Sequence, residues 1–149
     1  MFEYDSVYVR FVTQDVHPES GYHAGLFTAA WSVRHAQSTP EADREALARL
    51  LLWFGRNMAV PTKFTRSRSK HAWKKNWRGL SWFRADAERH LKRMRKMSEL
   101  LEPHGHSVSI LETDRPGFVV YEDRWQVVAE PYADTPTQAG YSARREGLA

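Results

Sequence analysis

Basic and aromatic side chains are concentrated between Lys63 and Lys96, and side chains of these types can bind an anion. This stretch holds 13 of the 22 Lys and Arg residues but only two acidic residues, so it carries a formal charge of +11 in a chain of +4. The rest of the chain carries −7. Like charges held close together repel one another unless an anion offsets them. The stretch therefore predicts a surface that binds anions.

Nucleic acid is the anion that this mixture of residues favours. Cations follow a phosphate backbone, and exposed indole rings stack on bases at about 1–3 kcal/mol per base. A short helix over 70–77 would place Trp73 and Trp77 on one face, and the back of a later helix extends the cationic surface. The predicted binding residues are Lys63, Arg66, Arg68, Lys70, Trp73, Lys74, Lys75, Trp77, Arg78, Arg89, Lys92 and Lys96.

Two other interpretations of these residues remain open. In the first, the Trp residues belong to the core and the cations form a solvated rim, because Trp is largely buried on average. In the second, Trp73, Trp77 and Trp82 anchor an acidic protein partner, since aromatic residues dominate the energetics of many protein interfaces. No pattern in the sequence indicates an oligomeric state.

A further hypothesis is an enzyme that processes a nucleotide or a nucleic acid, of the nuclease or phosphoryl-transfer type. His71 or His90 would act as general acid or base, and Arg84 would stabilise charge on a phosphate. Three Arg–His pairs are separated by four to six residues, as in some ribonucleases, but about two such pairs are expected by chance. The pairs are Arg10 with His17, Arg66 with His71, and Arg84 with His90. Because His90 falls on the apolar side of its predicted helix, a structural role competes with a catalytic one.

Metal ligands are too sparse to predict a metal site. The chain has no cysteine, which excludes thiolate zinc sites and disulfides. His104 and His106 alternate near Glu102 but have no defined third ligand. Five acidic residues of the C-terminal part have no accompanying Glu-x-Lys pattern of the kind that magnesium-dependent nucleases use. They are Glu112, Asp114, Glu122, Asp123 and Glu130. We predict neither a metal nor a cofactor.

The N-terminal third predicts one strand and two helices. Residues 6–13 alternate at strand period, and 14–21 contains Pro and Gly and is typical of a loop. Apolar residues at helical spacing predict helices over 23–36 and 41–54.

The second of these helices has recognisable start and stop signals. Ser38 begins a capping-box pattern, whereas Thr39 as the cap would leave Pro40 at the favoured first helical position. Gly55 is a natural stop.

The middle of the chain combines an irregular stretch with a strongly amphipathic helix. Residues 56–83 show no convincing period and predict a long connection. A third helix over 84–101 has a core face and a basic back that carries Arg89, Lys92 and Lys96. Its predicted core face comprises Ala87, Leu91, Met94, Met97, Ser98 and Leu101.

The C-terminal part predicts three strands, over 107–112, 118–122 and 125–130, joined by tight turns at Pro116-Gly117 and Asp123-Arg124. The fold class that follows is α+β. It consists of an antiparallel sheet of about four strands, in which the N-terminal strand joins a C-terminal meander, covered by three main helices. We expect a single domain over 1–132 and a mobile tail over 133–149, where apolar residues become rare.

Composition excludes several classes of protein. The hydrophobic share is 42% and no apolar run approaches the roughly 20 residues that span a bilayer, so no membrane association is predicted. Two acids among the first five residues do not resemble the start of a signal peptide. With no cysteine, the expected location is the cytoplasm.

Overall fold

The computed structural model describes residues 7–16, 23–60 and 79–137, which form an antiparallel sheet and three helices. The strands are β1 (Tyr8–Val16), β2 (His23–Gly25), β3 (Leu80–Arg84), β4 (Val108–Thr113), β5 (Phe118–Glu122) and β6 (Gln126–Glu130). The helices are α1 (Leu26–His35), α2 (Glu41–Asn57) and α3 (Glu88–Leu101), followed by a 3₁₀ turn at Glu102–His104. The predicted α+β class is confirmed, with six strands rather than about four.

Strand β1 organises the sheet. Along one side it pairs with β4, from Tyr8 opposite Thr113 to Thr13 opposite Val108. Its other side is shared, because β3 pairs at its start and β2 pairs towards its end. β6 and β5 then follow β3, and all pairs are antiparallel. The N-terminal strand does pair with the C-terminal part, but the predicted meander is wrong, since β4 pairs with β1 and β5 with β6.

The connection between β4 and β5 shows that the sheet is curled. The two strands lie on opposite edges, β1, β3 and β6 lie between them, and both run in the same direction. From Thr113 to Phe118 the chain spans at most about 18 Å. Four strand spacings in a flat sheet already take about 19 Å. The edges must therefore approach each other, and the sheet curves towards a barrel.

The curl gives the protein two apolar clusters, one on each face of the sheet. The larger cluster lies between the helices and the outer face, and includes Phe11 and Phe83 from the sheet with Leu47, Phe54 and Met94 from the helices. The smaller one consists of Val12, Leu80, Trp82, Leu111 and Val127. Strand register places these five side chains on the opposite, concave face. Each face of the sheet thus has its own buried apolar cluster.

Strand β3 is the element that the sequence pattern missed. Residues 80–83 were assigned to an irregular connection and Arg84 to the start of the third helix, whereas 80–84 form a strand between β1 and β6. Trp82 and Phe83 are both buried, on opposite faces. A short strand with two buried faces does not alternate between apolar and polar residues, so its period is hidden. Helix α3 begins only at Glu88.

The N-terminal boundaries also shift. Strand β1 extends to Val16, three residues into the predicted loop, because β2 pairs with its end. The residues 23–25 that form β2 were predicted as the first turn of a helix, and α1 begins at Leu26. Helix formation and strand pairing compete for such residues, and here a tertiary contact decides between them.

Helix α2 starts and ends differently from the prediction. Neither Ser38 nor Thr39 caps it; Pro40 is the N-cap residue, and the buried Thr39 hydroxyl donates instead to Val33 O at 2.6 Å. At the other end the helix passes Gly55 and continues to Asn57. A glycine inside a helix costs only about 1 kcal/mol, and the packing of neighbouring Phe54 offsets it.

The C-terminal turn and the residues after β6 are anchored. Gly117 has a φ of 129°, and a side chain there would collide with Glu130 O. Thr135 is buried and donates to Arg115 O at 2.9 Å, while Asp134 pairs with the Arg115 guanidinium at 3.3 Å. The first residues of the predicted tail therefore contact the β4–β5 connection. The rest of that prediction, over 138–149, lies outside the described residues.

Within the part of the chain that the structure describes, no helix is long and apolar enough to cross a membrane.

Candidate polyanion-binding surface

The solvent-facing side of α3 carries a cluster of cations. The helix contains five Lys or Arg residues and two Glu residues within 14 positions. Arg89, Lys92, Arg95 and Lys96 are exposed, and we refer to these four as the α3 cation cluster. In the described ranges, none of the four forms an ion pair with a carboxylate. The predicted basic back of this helix is therefore present and exposed, and Arg95 adds to it.

The opposite side of α3 fixes this cluster to the body of the protein. Leu91, Met94, Met97 and Leu101 are buried in the larger apolar cluster, as the helical spacing predicted. Burying side chains of this size stabilises the fold by about 1.5–3 kcal/mol each. The cations therefore stand on a helix whose orientation is fixed by its apolar side.

Arg93 occupies the border between the two sides of α3. Its guanidinium lies 4.0 Å from the centre of the Trp53 ring on α2, and the Arg89 guanidinium lies 5.7 Å from the same ring. Arg93 also donates to Arg89 O at 3.1 Å. Cation–π contacts of this kind contribute about 0.5–1 kcal/mol at exposed sites. Two of the five cations are thus oriented by an aromatic ring rather than by a carboxylate.

His90 is the centre of a cluster of rings with a cation at each end, edge-to-face with Trp53 and stacked on Trp125. Its ring lies 4.8 Å from Trp53 and 4.9 Å from Trp125, and the Arg124 guanidinium lies 4.5 Å from Trp125. His90 is only 2% exposed, and its Nε2–H donates to Asn57 O at 2.8 Å. This burial and this partner give His90 a structural role.

Arg84, the other residue of the enzyme hypothesis that the structure describes, is held by the β5–β6 turn. Its guanidinium donates to Glu122 at 2.9 Å and to Asp123 O at 2.9 Å. A guanidinium that already has these partners does not point at an open site. Arg84 and His90 therefore each bind other groups of the fold rather than one another.

The turn that holds Arg84 is organised by the Asp123 carboxylate. It accepts hydrogen bonds from the backbone of Trp125 and Gln126, from the Tyr121 hydroxyl and from the Gln126 amide, at 2.8–3.2 Å. Partial burial alone raises the pKa of Asp123, but these hydrogen bonds outweigh burial and lower the pKa below its ordinary value. The same contact with Asp123 raises the pKa of Tyr121.

The two histidines considered as metal ligands have carboxylate partners instead. His104 Nε2 lies 2.9 Å from Asp43 on α2, and His106 Nδ1 lies 3.7 Å from Asp15 on β1. These contacts tie the turn after α3 to two other elements. Among the residues that the structure describes, no group of three His, Asp or Glu side chains is placed to hold a metal ion.

Most of the predicted nucleic-acid-binding residues lie in the segment 61–78, outside the described residues. Those residues are Lys63, Arg66, Arg68, Lys70, Trp73, Lys74, Lys75, Trp77 and Arg78, and the weak catalytic candidate His71 lies there too. Their proposed roles stay predictions. Two aromatic residues of the stretch belong to the core, because Trp82 is 1% exposed and Phe83 is 5% exposed. The suggested role of Trp82 as an anchor for a protein partner is wrong.

Sequence reasoning missed the aromatic side of this surface. Trp53, Arg93 and Trp125 come from three elements and meet around His90. Trp53 and Arg93 each lie on a helix next to a predicted core position, which is the only signal in the sequence that marks them. Their contact depends on how α2 packs against α3, and spacing along the chain does not encode that.

Comparison with known proteins gives no relative from which a role can be transferred. The chain matches no protein-family model, no curated protein and no solved structure.

Proposed function

We propose that this protein binds nucleic acid in the cytoplasm and holds the phosphate backbone on the α3 cation cluster. The observation that supports the proposal is that these four cations are exposed on one helix, without carboxylate partners among the described residues. The helix also carries two exposed acidic residues, Glu88 and Glu99, but the four cations outnumber them, so repulsion on this face is only partly offset. A phosphate backbone would offset it here.

The dimensions of the cluster fit a short length of backbone. Arg89 and Lys96 are seven residues apart, which corresponds to about 10 Å along the helix axis. One strand of a nucleic acid carries a phosphate about every 3.4 Å of duplex axis, so the cluster faces about three phosphates. Such contacts release counterions, and binding through them weakens steeply as salt rises.

The two other hypotheses have weaker support. For an enzyme, His90 and Arg84 have structural partners, and only His71, outside the described residues, is left from the original candidates. For a module that recognises an acidic protein, Trp82 belongs to the core. The α3 cation cluster would suit an acidic protein partner by charge alone, so the experiment must include one.

Binding of a fluorescent 20-nucleotide RNA or single-stranded DNA of mixed sequence, at roughly physiological salt, tests the proposal. Replacing Lys92, Arg95 and Lys96 together by Gln should weaken binding at least tenfold. The matched control replaces Arg34, Arg49 and Arg56 by Gln, which removes the same charge from α1 and α2, and should change the affinity less than threefold.

Three results would contradict the proposal: no binding by the wild type, equal weakening by both variants, or tighter binding of poly-glutamate than of nucleic acid. The last of these would favour the acidic-protein hypothesis. Circular dichroism of both variants shows whether helix content is retained.

A further inference from the structure

A cavity of about 420 Å³ lies where the helices meet the sheet, beside the gap between β2 and β3. Most of its wall is apolar and comes from side chains such as Phe11, Leu26, Phe54, Phe83 and Met94. No acidic side chain is among the described residues that line it. Ligand sites in proteins commonly have this size and this apolar character, with a few polar groups that orient the ligand.

Arg10 bridges the gap in the sheet at this cavity. The edge of β1 between Val9 and Val12 has no strand partner, because β3 pairs before it and β2 after it. The Arg10 guanidinium reaches across and donates to Ser81 O on β3 at 3.0 Å and to His23 O on β2 at 3.4 Å. Two of its five N–H groups are thereby used.

The charge of Arg10 is not neutralised by the described part of the chain. Its Nε atom is buried without a hydrogen-bond partner, and it forms no ion pair with a described carboxylate. Burial lowers the pKa of Arg10 to about 10, so the side chain is still a cation at neutral pH. The Arg10 side chain is half-buried, and a charge in such a position is costly unless a counter-charge and hydrogen bonds accompany it. The site therefore favours a guest that supplies a negative charge.

A further polar group at the cavity lacks a partner. Gln126 lines the cavity and donates through Nε2 to Ala59 O at 2.8 Å, which fixes its amide, while its Oε1 is buried without a donor. Buried polar atoms are usually satisfied, so such a group in contact with a cavity marks a place for a ligand atom.

We propose that this cavity binds a small monocarboxylic acid with an apolar body, its carboxylate on Arg10 and its body among the aromatic and aliphatic side chains. A single negative charge fits better than a phosphate dianion, because each additional charge adds a desolvation cost in an apolar cavity. The inference does not rest on the proposed nucleic-acid binding, since none of the four residues of the α3 cation cluster lines this cavity.

The first test compares two ligands of equal length, decanoate and decan-1-ol, titrated below their aggregation concentrations into the full chain and followed by calorimetry. The wild type should bind decanoate at least tenfold more tightly than decan-1-ol. Arg10→Gln should remove this preference by weakening decanoate at least tenfold while changing decan-1-ol less than threefold. A carboxylate that binds no better than the alcohol overturns the proposal.

The second test blocks the cavity without touching Arg10. Gly55 lines the cavity from α2, is exposed, and has no atom within 4 Å of the position that a Cβ would take. Gly55→Phe starts from an unobstructed Cβ position and should weaken decanoate at least tenfold by filling the space. Gly55→Ala is the matched control, because it also replaces the helical glycine but does not fill the space, and it should change the affinity less than threefold.

If Gly55→Phe binds decanoate as tightly as Gly55→Ala does, the ligand lies elsewhere and the proposal is wrong. The same conclusion follows if the wild type does not bind decanoate at millimolar concentration. If Arg10→Gln fails to fold, two comparisons still test the proposal. They are decanoate against decan-1-ol on the wild type, and Gly55→Phe against Gly55→Ala.

Discussion

Two groups of cations in the described part of the chain have opposite surroundings. Arg10, Arg44 and Arg84 each donate to backbone carbonyl groups that lie outside their own strand or helix. Lys92 and Lys96, by contrast, project into solvent from α3 beside like charges and without a carboxylate partner. The first group satisfies acceptors that the fold would otherwise leave unpaired. The second group contributes repulsion to the folded state, so its presence points to a role outside folding.

The cluster of rings around His90 should produce the largest effect on stability. His90→Ala removes the ring between Trp53 and Trp125, leaves a cavity, and takes the donor from Asn57 O. We expect the free energy of unfolding to fall by about 2–4 kcal/mol in urea denaturation. Glu99→Ala, at an exposed position of the same helix, should change it by less than about 0.5 kcal/mol. A small effect of His90→Ala would mean that the ring contacts of His90 contribute little to the packing of α3.

A partnered arginine should matter more than an unpartnered one on the same helix. The Arg44 guanidinium donates to Ala36 O, Gln37 O and Thr39 O at 2.9–3.0 Å and so holds the connection between α1 and α2. Arg44→Ala should lower the free energy of unfolding by about 1–3 kcal/mol, because hydrogen bonds from charged donors are lost. Arg49→Ala, five residues further along α2, should have an effect below about 0.5 kcal/mol. Equal losses of stability for the two variants would show that partnered and unpartnered arginines contribute equally to the fold.

Acidification should reveal the carboxylate that organises the β5–β6 turn. Because the pKa of folded Asp123 lies below its ordinary value, the ionised side chain stabilises the fold at neutral pH. That contribution is fully present above the unfolded pKa of about 3.9 and is lost as pH falls through the lower folded pKa. The urea-derived difference between wild type and Asp123→Asn should therefore stay constant from pH 7 to 5 and shrink below about pH 4. A difference that grows on acidification would contradict the conclusion that the fold lowers the pKa of Asp123.

Removing the exposed cations should have the smallest effect on stability. Replacing Lys92, Arg95 and Lys96 by Gln relieves repulsion on α3 and breaks no ion pair with a described carboxylate. We expect the free energy of unfolding to change by less than about 0.5 kcal/mol, with a slight gain at low salt where repulsion is least screened. A loss above about 1.5 kcal/mol would show that these side chains have structural partners, and would weaken the functional proposal.

The accuracy of the sequence-based predictions followed the strength of each pattern. The apolar arc of α3, with Leu91, Met94 and Leu101, has a clear period and is buried as predicted. Strand β5 has the predicted limits, because Pro and Gly bound a run of β-branched and aromatic residues. Strand β3 was not predicted, because it has buried residues on both faces and its period is therefore hidden. The predicted meander was wrong, because the turn at Gly117 connects two opposite edges of the sheet and does not close a hairpin.

Some contacts of the candidate sites could not be predicted from the sequence, because they depend on long-range packing. The basic back of α3 was visible because the charges recur on one helix. The contact between Trp53 and Arg93 and the bridge that Arg10 forms to Ser81 and His23 depend on how elements meet. Arg10 stood in the sequence as one polar residue of an alternating strand. Only the gap between its two neighbouring strands makes it a half-buried cation beside a cavity.

The salt dependence of nucleic-acid binding tests most directly whether the cations of α3 form the binding surface. The logarithm of the binding constant for a 20-nucleotide single strand should be measured against the logarithm of salt concentration for the wild type and the two triple-Gln variants. Each phosphate contact contributes roughly 0.7 to the slope, so replacing Lys92, Arg95 and Lys96 should flatten it by roughly 2. Replacing Arg34, Arg49 and Arg56 should leave the slope almost unchanged. Equal slopes for wild type and the α3 variant would contradict the account.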